Sequence, residues 1–492
     1  FLKMERKFND QELIRREKLK RLQENNQDPY QVEKVQRTMN IGEFNQTFKK
    51  LKTHNHKKNI RLAGRVIALR QTFGVIRDFY GDTQFYINKN KVSKSMLEYF
   101  NKTLDIGDIV EIYGTPFRTK KGQLTLDVKK IKIISKALKP LPEKWHGLED
   151  EELRARHRYV DLIVNKESMQ TFVDRIRIIK IIRNFMDLQG YLEVETPVLH
   201  PILGGANARP FVTFHNTLER NFYLRIATEL PLKKLIVGGF DKVYEIGRIF
   251  RNEGMDSTHN PEFTSMEVYA AYENMEYMMN LTENLFKCVA KALKKPTIKI
   301  GDKEIKIMQK FKKIHIVDFI KQETGVDFWK VKTDKEAQEL AKKHHVEFEK
   351  HQSSIGHIIN LFFEEFCEVK CIQPTFVYGH PIDVSPLSKK DYKNPQFTKR
   401  FELFINTKEY VNAFSELNDP IDQFQRFEAQ VKEKSLGNEE AVEMDIDFIE
   451  SLEYGLPPTG GLGIGIDRLV MLFTEKTTIR DVLLFPHMRE AK

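Results

Sequence analysis

Cysteine is scarce in this 492-residue chain. Only Cys288, Cys367 and Cys371 occur, with no CxxC pair. An odd count without such a pair argues against a disulfide framework and a zinc knuckle, and it fits a reducing cytosol. Long apolar runs are also missing. None approaches the roughly 18 residues of a membrane span, so no membrane partner is expected. The opening Phe1-Leu2-Lys3-Met4-Glu5-Arg6 lacks the basic-then-apolar build of a secretion signal. Met4 is expected to be the natural start, and the location cytoplasmic. There is no internal repeat and no low-complexity tract.

What the chain does have is enough apolar residues to bury sizeable cores, 40% of the total. At roughly 150 residues per domain, its length suggests about three domains. Eighty Lys and Arg against seventy Asp and Glu give a net charge of +10. That excess is local. Residues 57–140 hold 18 Lys and Arg against 7 Asp and Glu, a net of +11, and the other 408 residues hold 62 against 63. A basic module attached to a nearly neutral body is the footprint of a polyanion partner or of a merely solvated surface.

Asn9 with Glu12 three residues on is a capping box, and it predicts a basic helix over 9–25 that stops before Asp28-Pro29. Between 59 and 135 the period changes. Ile60-Leu62, Val66–Ala68, Val75-Ile76, Phe85–Ile87, Ile109–Ile112, Leu124–Leu126 and Ile131–Ile133 are short apolar or alternating runs. Gly64, Gly81-Asp82, Asp105–Gly107 and Lys121-Gly122 punctuate them. Short strands with turn signals predict a small closed sheet, for which a five-stranded OB barrel is the common nucleic-acid binder. A helical stretch at Ser93–Asn101 interrupts the strands. Pro140-Leu141-Pro142 opens a charged linker. From about residue 166 a mixed helix and strand pattern runs to the end, mainly helical over 335–370.

Three constellations carry chemistry. Gly190–Leu199 reads as a helix end followed by a strand closing on Pro197. Arg251-Asn252-Glu253-Gly254 and His259-Asn260-Pro261-Glu262-Phe263 form a loop between the strand-like runs Val243–Phe250 and Met266–Ala271. Such a loop brings a guanidinium, a carboxylate, an imidazole and an aromatic ring into one space. Arginine binds phosphate or carboxylate bidentately, glutamate accepts from an exocyclic amine, and a ring stacks on a base. The set suits a nucleotide with a bound acid. Gly460-Gly461-Leu462-Gly463-Ile464-Gly465 alternates as a strand that lets a ligand approach its backbone, and Asp467-Arg468 opens a helix. Glu229, Glu402, Glu409 and Glu416 complete the acidic set. Two carboxylates beside a triphosphate suggest Mg²⁺.

Taken in order, these segments resemble the three motifs of class II aminoacyl-tRNA synthetases. Gly204-Gly205-Ala206, Arg225–Leu230, His380-Pro381, Val384–Leu387, Phe401–Phe404 and Asn412–Asp419 narrow the resemblance to the bacterial type of lysyl-tRNA synthetase, in subclass b. The implied fold is α+β: an antiparallel-sheet catalytic domain preceded by an all-β OB barrel. The expected domains are a helical extension at 1–55, the anticodon-binding barrel at 56–140, a linker at 141–165 and the catalytic domain at 166–492, with a helical insertion around 290–375.

The resemblance implies residue roles. Arg251 would bridge the α-phosphate of ATP and the carboxylate of lysine. Glu253 would contact the adenine amino group, and His259 the distal phosphates, with Asn260 nearby. Phe263 would stack beneath adenine, and Arg468 would cover it and reach the γ-phosphate. Gly465 would border the nucleotide. Glu402 and Glu409 would hold Mg²⁺. Gly205 and Glu229 would bind the α-amino group, and Glu416, Tyr269, Asn412 and Glu267 would surround the ε-ammonium. In the barrel, Phe73 would stack on the middle anticodon base of a lysine tRNA and Gln84 would bond its edge, the usual way of reading single-stranded RNA. Where the family often has Glu, this chain has Gln123. A homodimer with Gly190–Leu199 at the interface is also implied. The rivals are a synthetase for aspartate or asparagine, a paralogue lysylating a protein, and a non-catalytic RNA binder. Glu229 and Glu416, the barrel, and the intact set of charged residues argue against them in turn.

Overall fold

The computed structural model describes residues 7–52, 58–142, 150–202, 204–206, 208–435 and 444–490. Met4, the 55/56 boundary and the linker portion 143–149 lie outside the described residues. The chain divides into two compact units, 1–149 and 150–492.

In the first unit, α1 (Asp10–Glu24) and α2 (Ile41–Thr47) precede the strands β1 (Ile60–Arg70), β2 (Phe73–Asp78), β3 (Gly81–Tyr86), β4 (Ile109–Arg118) and β5 (Leu124–Ser135). Helix α3 (Lys94–Lys102) lies between β3 and β4. Both capping-box bonds of Asn9 and Glu12 form. The strands close into a barrel in the order β1-β2-β3-β5-β4. Alternation places Leu62, Ile76, Phe85, Ile112 and Leu126 inside. The seven apolar runs merge into five strands because β5 takes in both Leu124–Leu126 and Ile131–Ile133, and because Gly64 is not a turn. It lies within β1, where a Cβ would stand 2.7 Å from the Arg77 carbonyl oxygen. Part of the basic face of α1 turns inward: Arg15 donates to the carbonyls of Ala137 (2.8 Å) and Ile106 (3.1 Å).

The second unit opens with α4 (Glu151–Arg156), α5 (Arg158–Val164) and α6 (Lys166–Leu188). Residues 150–165, read as the end of a linker, fold within this unit around the buried pair of Arg158 and Asp161, 2.6 Å apart. Helix α6 ends at Gly190, whose φ of +80° suits glycine. Strand β6 (Leu192–Glu193) is only two residues long, so the expected strand running to Pro197 does not form. The short sheet β7 (Leu199–His200), β8 (Val212–His215), β9 (Arg220–Leu224) and helix α7 (Glu229–Val237) follow. Next come β10 (Lys242–Phe250), β11 (Glu262–Ala271) and α8 (Met275–Leu293). The insertion opens on a hairpin, β12 (Thr297–Ile300) and β13 (Lys303–Lys306), then β14 (Lys312–His315), before α9 (Ile316–Thr324), α10 (Asp334–Lys343) and α11 (Ile355–Phe366). It is therefore not helical throughout. The chain ends with β15 (Thr375–Tyr378), β16 (Arg400–Ile405), β17 (Lys408–Ser415), α12 (Pro420–Ser435), α13 (Ile446–Glu453), β18 (Thr459–Gly465) and α14 (Ile466–Thr474).

Eight strands form one sheet in the order β14-β15-β16-β17-β18-β11-β10-β6. It is antiparallel except at its two ends, where β14 with β15 and β6 with β10 run parallel. One face carries Met266, Val268, Val411, Ala413, Leu462 and Ile464, packed against α6, α8 and α14. Burying each of these side chains other than Ala413 contributes roughly 1.5–3 kcal/mol. Strand alternation sends the intervening residues to the other face.

Candidate active site

That other face floors a cleft of about 490 Å³. Register builds it. Asn412 of β17 pairs with Gly463 of β18, which pairs with Glu267 of β11, while Glu402 of β16 pairs with Asn412. Two residues along, Arg400, Phe414, Gly461 and Tyr269 make the next rung on the same face. Phe263, Ser265, Glu267 and Tyr269 thus face the cleft from alternate positions of one strand. Glu409 would face the core by parity. A bulge shifts the register between Leu403 and Phe404, so Tyr410 and Val411 are both buried and Glu409 returns to the cleft.

Every residue singled out for nucleotide, metal and amino-acid binding lines this cleft except Glu416. Arg251 sits at the end of β10 with its guanidinium 5.3 Å from the Phe263 ring centre. Its Nε is buried and has no hydrogen-bond partner, leaving a donor for an anion. His259 is oriented by Asp256, with Nδ1 to Oδ2 at 2.7 Å, and its Nε2 lies 3.4 Å from Arg468. Burial alone would raise Asp256. Hydrogen bonds from the His259 ring and the Thr258 backbone outweigh it and hold the carboxyl well below the usual range. Arg468 donates to the Glu409 carbonyl at 2.8 Å. Asp467 fixes the start of α14 by accepting from Thr264 N (2.7 Å) and Arg175 (2.6 Å).

Asn260 lines the cleft, but its polar atoms are engaged elsewhere. It donates to the Glu262 carbonyl at 2.6 Å and accepts from His487 N at 3.3 Å. Its part is to pin the loop to the C-terminal segment. Gly205 borders the cleft with a φ of +89°, and a Cβ there would lie 3.3 Å from that of Ala227.

The acidic side is layered. Glu267 accepts from Thr228 N (3.1 Å) and from the Tyr269 hydroxyl (3.0 Å). Burial, then the charge of Glu229, pushes its carboxyl up to about 7. Glu416 lies behind this layer, 0% exposed. A Cβ on Gly461 would stand 1.8 Å from Glu416 Oε1, so that glycine is required by the protein's own carboxylate rather than by a ligand. One Glu416 oxygen contacts the ammonium of Lys233, which also bonds Glu229 at 2.5 Å. Asn412 accepts from Arg400 at 2.9 Å, and Arg400 also bonds Glu402.

Glu402 and Glu409 offer hard oxygen donors. Burial, then the charge of Glu402, raises Glu409. Glu368 behind them is also pushed up to about 7, first by burial and then by Glu364, Glu402 and Glu409. An acidic pair that raises its own neighbours fits a small divalent cation whose remaining ligands are water and phosphate.

In the barrel, Phe73 and Gln84 lie on adjacent antiparallel strands, with Val75 opposite Gln84. The Phe73 ring centre is 4.6 Å from that of Tyr86, and Tyr86 is 6.0 Å from Phe117. Gln84 Oε1 accepts from Thr125 at 2.9 Å. All seven acids of residues 57–140 have a cation within 4 Å, from Asp78 with Arg37 to Asp127 with Lys91. Cys367 and Cys371 are buried thiols, each pushed up to about 12 by burial, and Cys371 donates to the Cys367 carbonyl.

Sequence reasoning missed Lys233, Arg400, Asp256, Tyr86 and Phe117. For Tyr86 the signal was present, since alternation in Phe85-Tyr86-Ile87 turns it outward.

The family described as tRNA synthetases class II (D, K and N) matches residues 150–489, and an OB-fold nucleic acid binding domain matches residues 60–134. The chain is similar to the lysine--tRNA ligase of Malacoplasma penetrans (strain HF-2), 85% identical over 489 residues, covering 99% of this chain and 100% of that one. It is 57% identical to the lysine--tRNA ligase of Ureaplasma urealyticum serovar 10 over 491 residues, with 99% of each chain covered. With the lysine--tRNA ligase of Lactococcus lactis subsp. cremoris (strain MG1363) the identity is 54% over 490 residues, covering 98% and 99%.

Proposed function

The chain belongs to the class II tRNA synthetases of the D, K and N group, and we propose that it joins lysine to tRNA. It activates L-lysine with ATP to lysyl-adenylate and pyrophosphate, then passes lysine to the 3′ end of its tRNA. The observation that carries this reading is the set of recessed carboxylates, Glu229, Glu267 and Glu416, on the side of the cleft away from Arg468 and Glu409. A side-chain ammonium must be met by buried negative charge to offset its desolvation. An aspartate pocket would need a cation open to the cleft. Lys233 is fully buried and spent on two carboxylates.

Positioning and charge neutralisation perform the first step. A carboxylate oxygen of lysine attacks the α-phosphorus in line, and the bond to pyrophosphate breaks. Arg251, with its unpaired Nε, holds the α-phosphate and that carboxylate together. Phe263 and Arg468 sandwich adenine, Glu253 accepts from its amino group, and the backbone at Gly465 borders it. His259, held by Asp256, and Arg468 meet the distal phosphates. Glu402 and Glu409 would hold a Mg²⁺ ion, whose charge would stabilise that developing on the phosphates. Glu229 and the Gly205 backbone take the α-amino group. Glu267, Tyr269 and Asn412 surround the ε-ammonium, and Glu416 Oε1, buried and without a donor, faces it from behind.

The barrel takes the anticodon, Phe73 stacking on its middle base and Gln84 reading an edge. Exposed Leu188, Leu192, Val198 and Leu199 support a second copy of the chain covering that surface. No described helix is long and apolar enough to cross a membrane; a cytoplasmic location follows from a role in translation.

Amino-acid-dependent ATP–pyrophosphate exchange, followed by charging of total tRNA, tests the reading. Exchange with lysine alone among the common amino acids is expected. Exchange with aspartate or asparagine instead would overturn it.

A further inference from the structure

Lys233 is a fully buried lysine in a site that must itself bind lysine. It projects from α7 one turn after Glu229, and the i, i+4 spacing brings their charged groups to 2.5 Å. Its ammonium also touches Glu416 at the end of β17. The rings of Phe414 and Phe448 lie 5.5 and 5.8 Å from it and close the remaining sides. An ammonium this deep is tolerable only when paired. Burial alone would lower it, but the charges of Glu229 and Glu416 outweigh that and hold it protonated. Its neighbour Lys234 points outward to Asp447.

The bonding is divided in a particular way. Lys233 takes one oxygen of Glu229, Oε1, and one of Glu416, Oε2. Glu416 Oε1 is buried and has no hydrogen-bond donor, while Glu229 borders the cleft. Each carboxylate therefore keeps an oxygen uncommitted to Lys233. In the proposed function Glu229 receives the α-amino group of the substrate and Glu416 its side-chain ammonium.

We propose that Lys233 is a positioning and specificity-determining residue, an internal ammonium that ties together the two carboxylates receiving the two ammonium groups of the substrate and so sets the distance between them. This rests on the reading of the chain as a lysine-activating enzyme. A fixed distance between two carboxylates is a ruler for a diamine. It accepts a four-methylene side chain and penalises ornithine, which is one methylene shorter. A merely structural staple between α7 and β17 would affect stability without distinguishing the two amino acids.

The test uses the full-length chain in pyrophosphate exchange, with lysine and ornithine compared. Lys233→Met is expected to raise the KM for lysine about a hundredfold, leave the KM for ATP unchanged, and cut the preference for lysine over ornithine about tenfold. Because removing one partner of a buried pair is costly, Lys233→Arg provides a charge-retaining second variant. It is expected to fold, yet to show the same loss of preference because its planar fork changes the spacing. In Lys233→Ala, n-butylammonium is expected to restore lysine exchange where n-butanol does not. A folded Lys233→Met or Lys233→Arg protein with an unchanged lysine KM and unchanged preference would overturn the proposal. Absence of lysine exchange by the unaltered chain would instead overturn the lysine reading, and this inference with it.

Discussion

The two units handle charge in opposite ways. In the barrel every acid of residues 57–140 already has a cation within 4 Å, so the surplus of +11 remains on the surface for a partner. In the second unit the decisive charges are recessed: Glu267, Glu416 and Lys233 are all buried. Exposed charge attracts at a distance and is screened by salt, whereas buried charge is strong, short-ranged and tied to hydrogen-bond geometry. One unit is built to gather a large polyanion, the other to choose a small molecule.

The sharpest way to break the comparison is to remove a charge from the cleft. Arg251→Ala is expected to cut lysine-dependent pyrophosphate exchange about a thousandfold. Binding of tRNA to the same variant, followed by filter retention, is expected to be unchanged. A parallel loss of tRNA binding would mean that the two kinds of charge are not separate.

A smaller effect comes from pH. Glu267 titrates near 7 rather than in the ordinary carboxylate range because it is buried beside Glu229. Only the ionised form pairs with an ammonium. The lysine KM should therefore fall about tenfold per unit as pH rises toward 7 and level off above it. Glu267→Gln should flatten this profile. For folding the sign is reversed. The proton that Glu267 retains in the fold favours the native state at low pH, and that contribution is lost as pH rises from the ordinary glutamate range through 7.

Salt gives the mildest test. Raising it from about 50 to 200 mM should weaken tRNA charging roughly tenfold through the KM for tRNA, while pyrophosphate exchange changes less than about twofold. Phe73→Ala should weaken charging about fivefold or more, at any salt concentration, since a stacked base is worth at least ~1 kcal/mol. Charging that is indifferent to both would remove the barrel from the account.

Much of this was legible along the chain because strands have period two. Glu267 and Tyr269 fall on one face by counting alone, and so do Leu462 and Ile464 on the other; Phe263, read as loop, joins the first set because β11 begins at Glu262. The barrel showed itself in its alternating runs and in its local charge. What could not be read depends on partners distant in sequence. Lys233 and Lys234 are adjacent and identical, yet one is buried between carboxylates and the other reaches Asp447. Arg400 gained its role only when β16 and β17 paired, and the bulge that returns Glu409 to the cleft leaves no mark in composition. Asn260 stood within a motif, and its neighbours turned out to be backbone. The strand expected after Gly190 shortened to two residues because only Leu192 and Glu193 pair with β10.

Gly461 has an evolutionary consequence. With Glu416 Oε1 where its Cβ would be, any larger residue at 461 is barred while Glu416 keeps its length. A descendant that shortened Glu416 first could then enlarge position 461, and the reverse order would pass through a broken intermediate. The two positions are thus linked by an order of change, which runs backwards on the return. A lineage that enlarged position 461 could regain the glutamate only after restoring glycine there, because the enlarged residue would occupy the space a glutamate needs. A change of amino-acid specificity at this site is therefore confined to one order of steps in each direction.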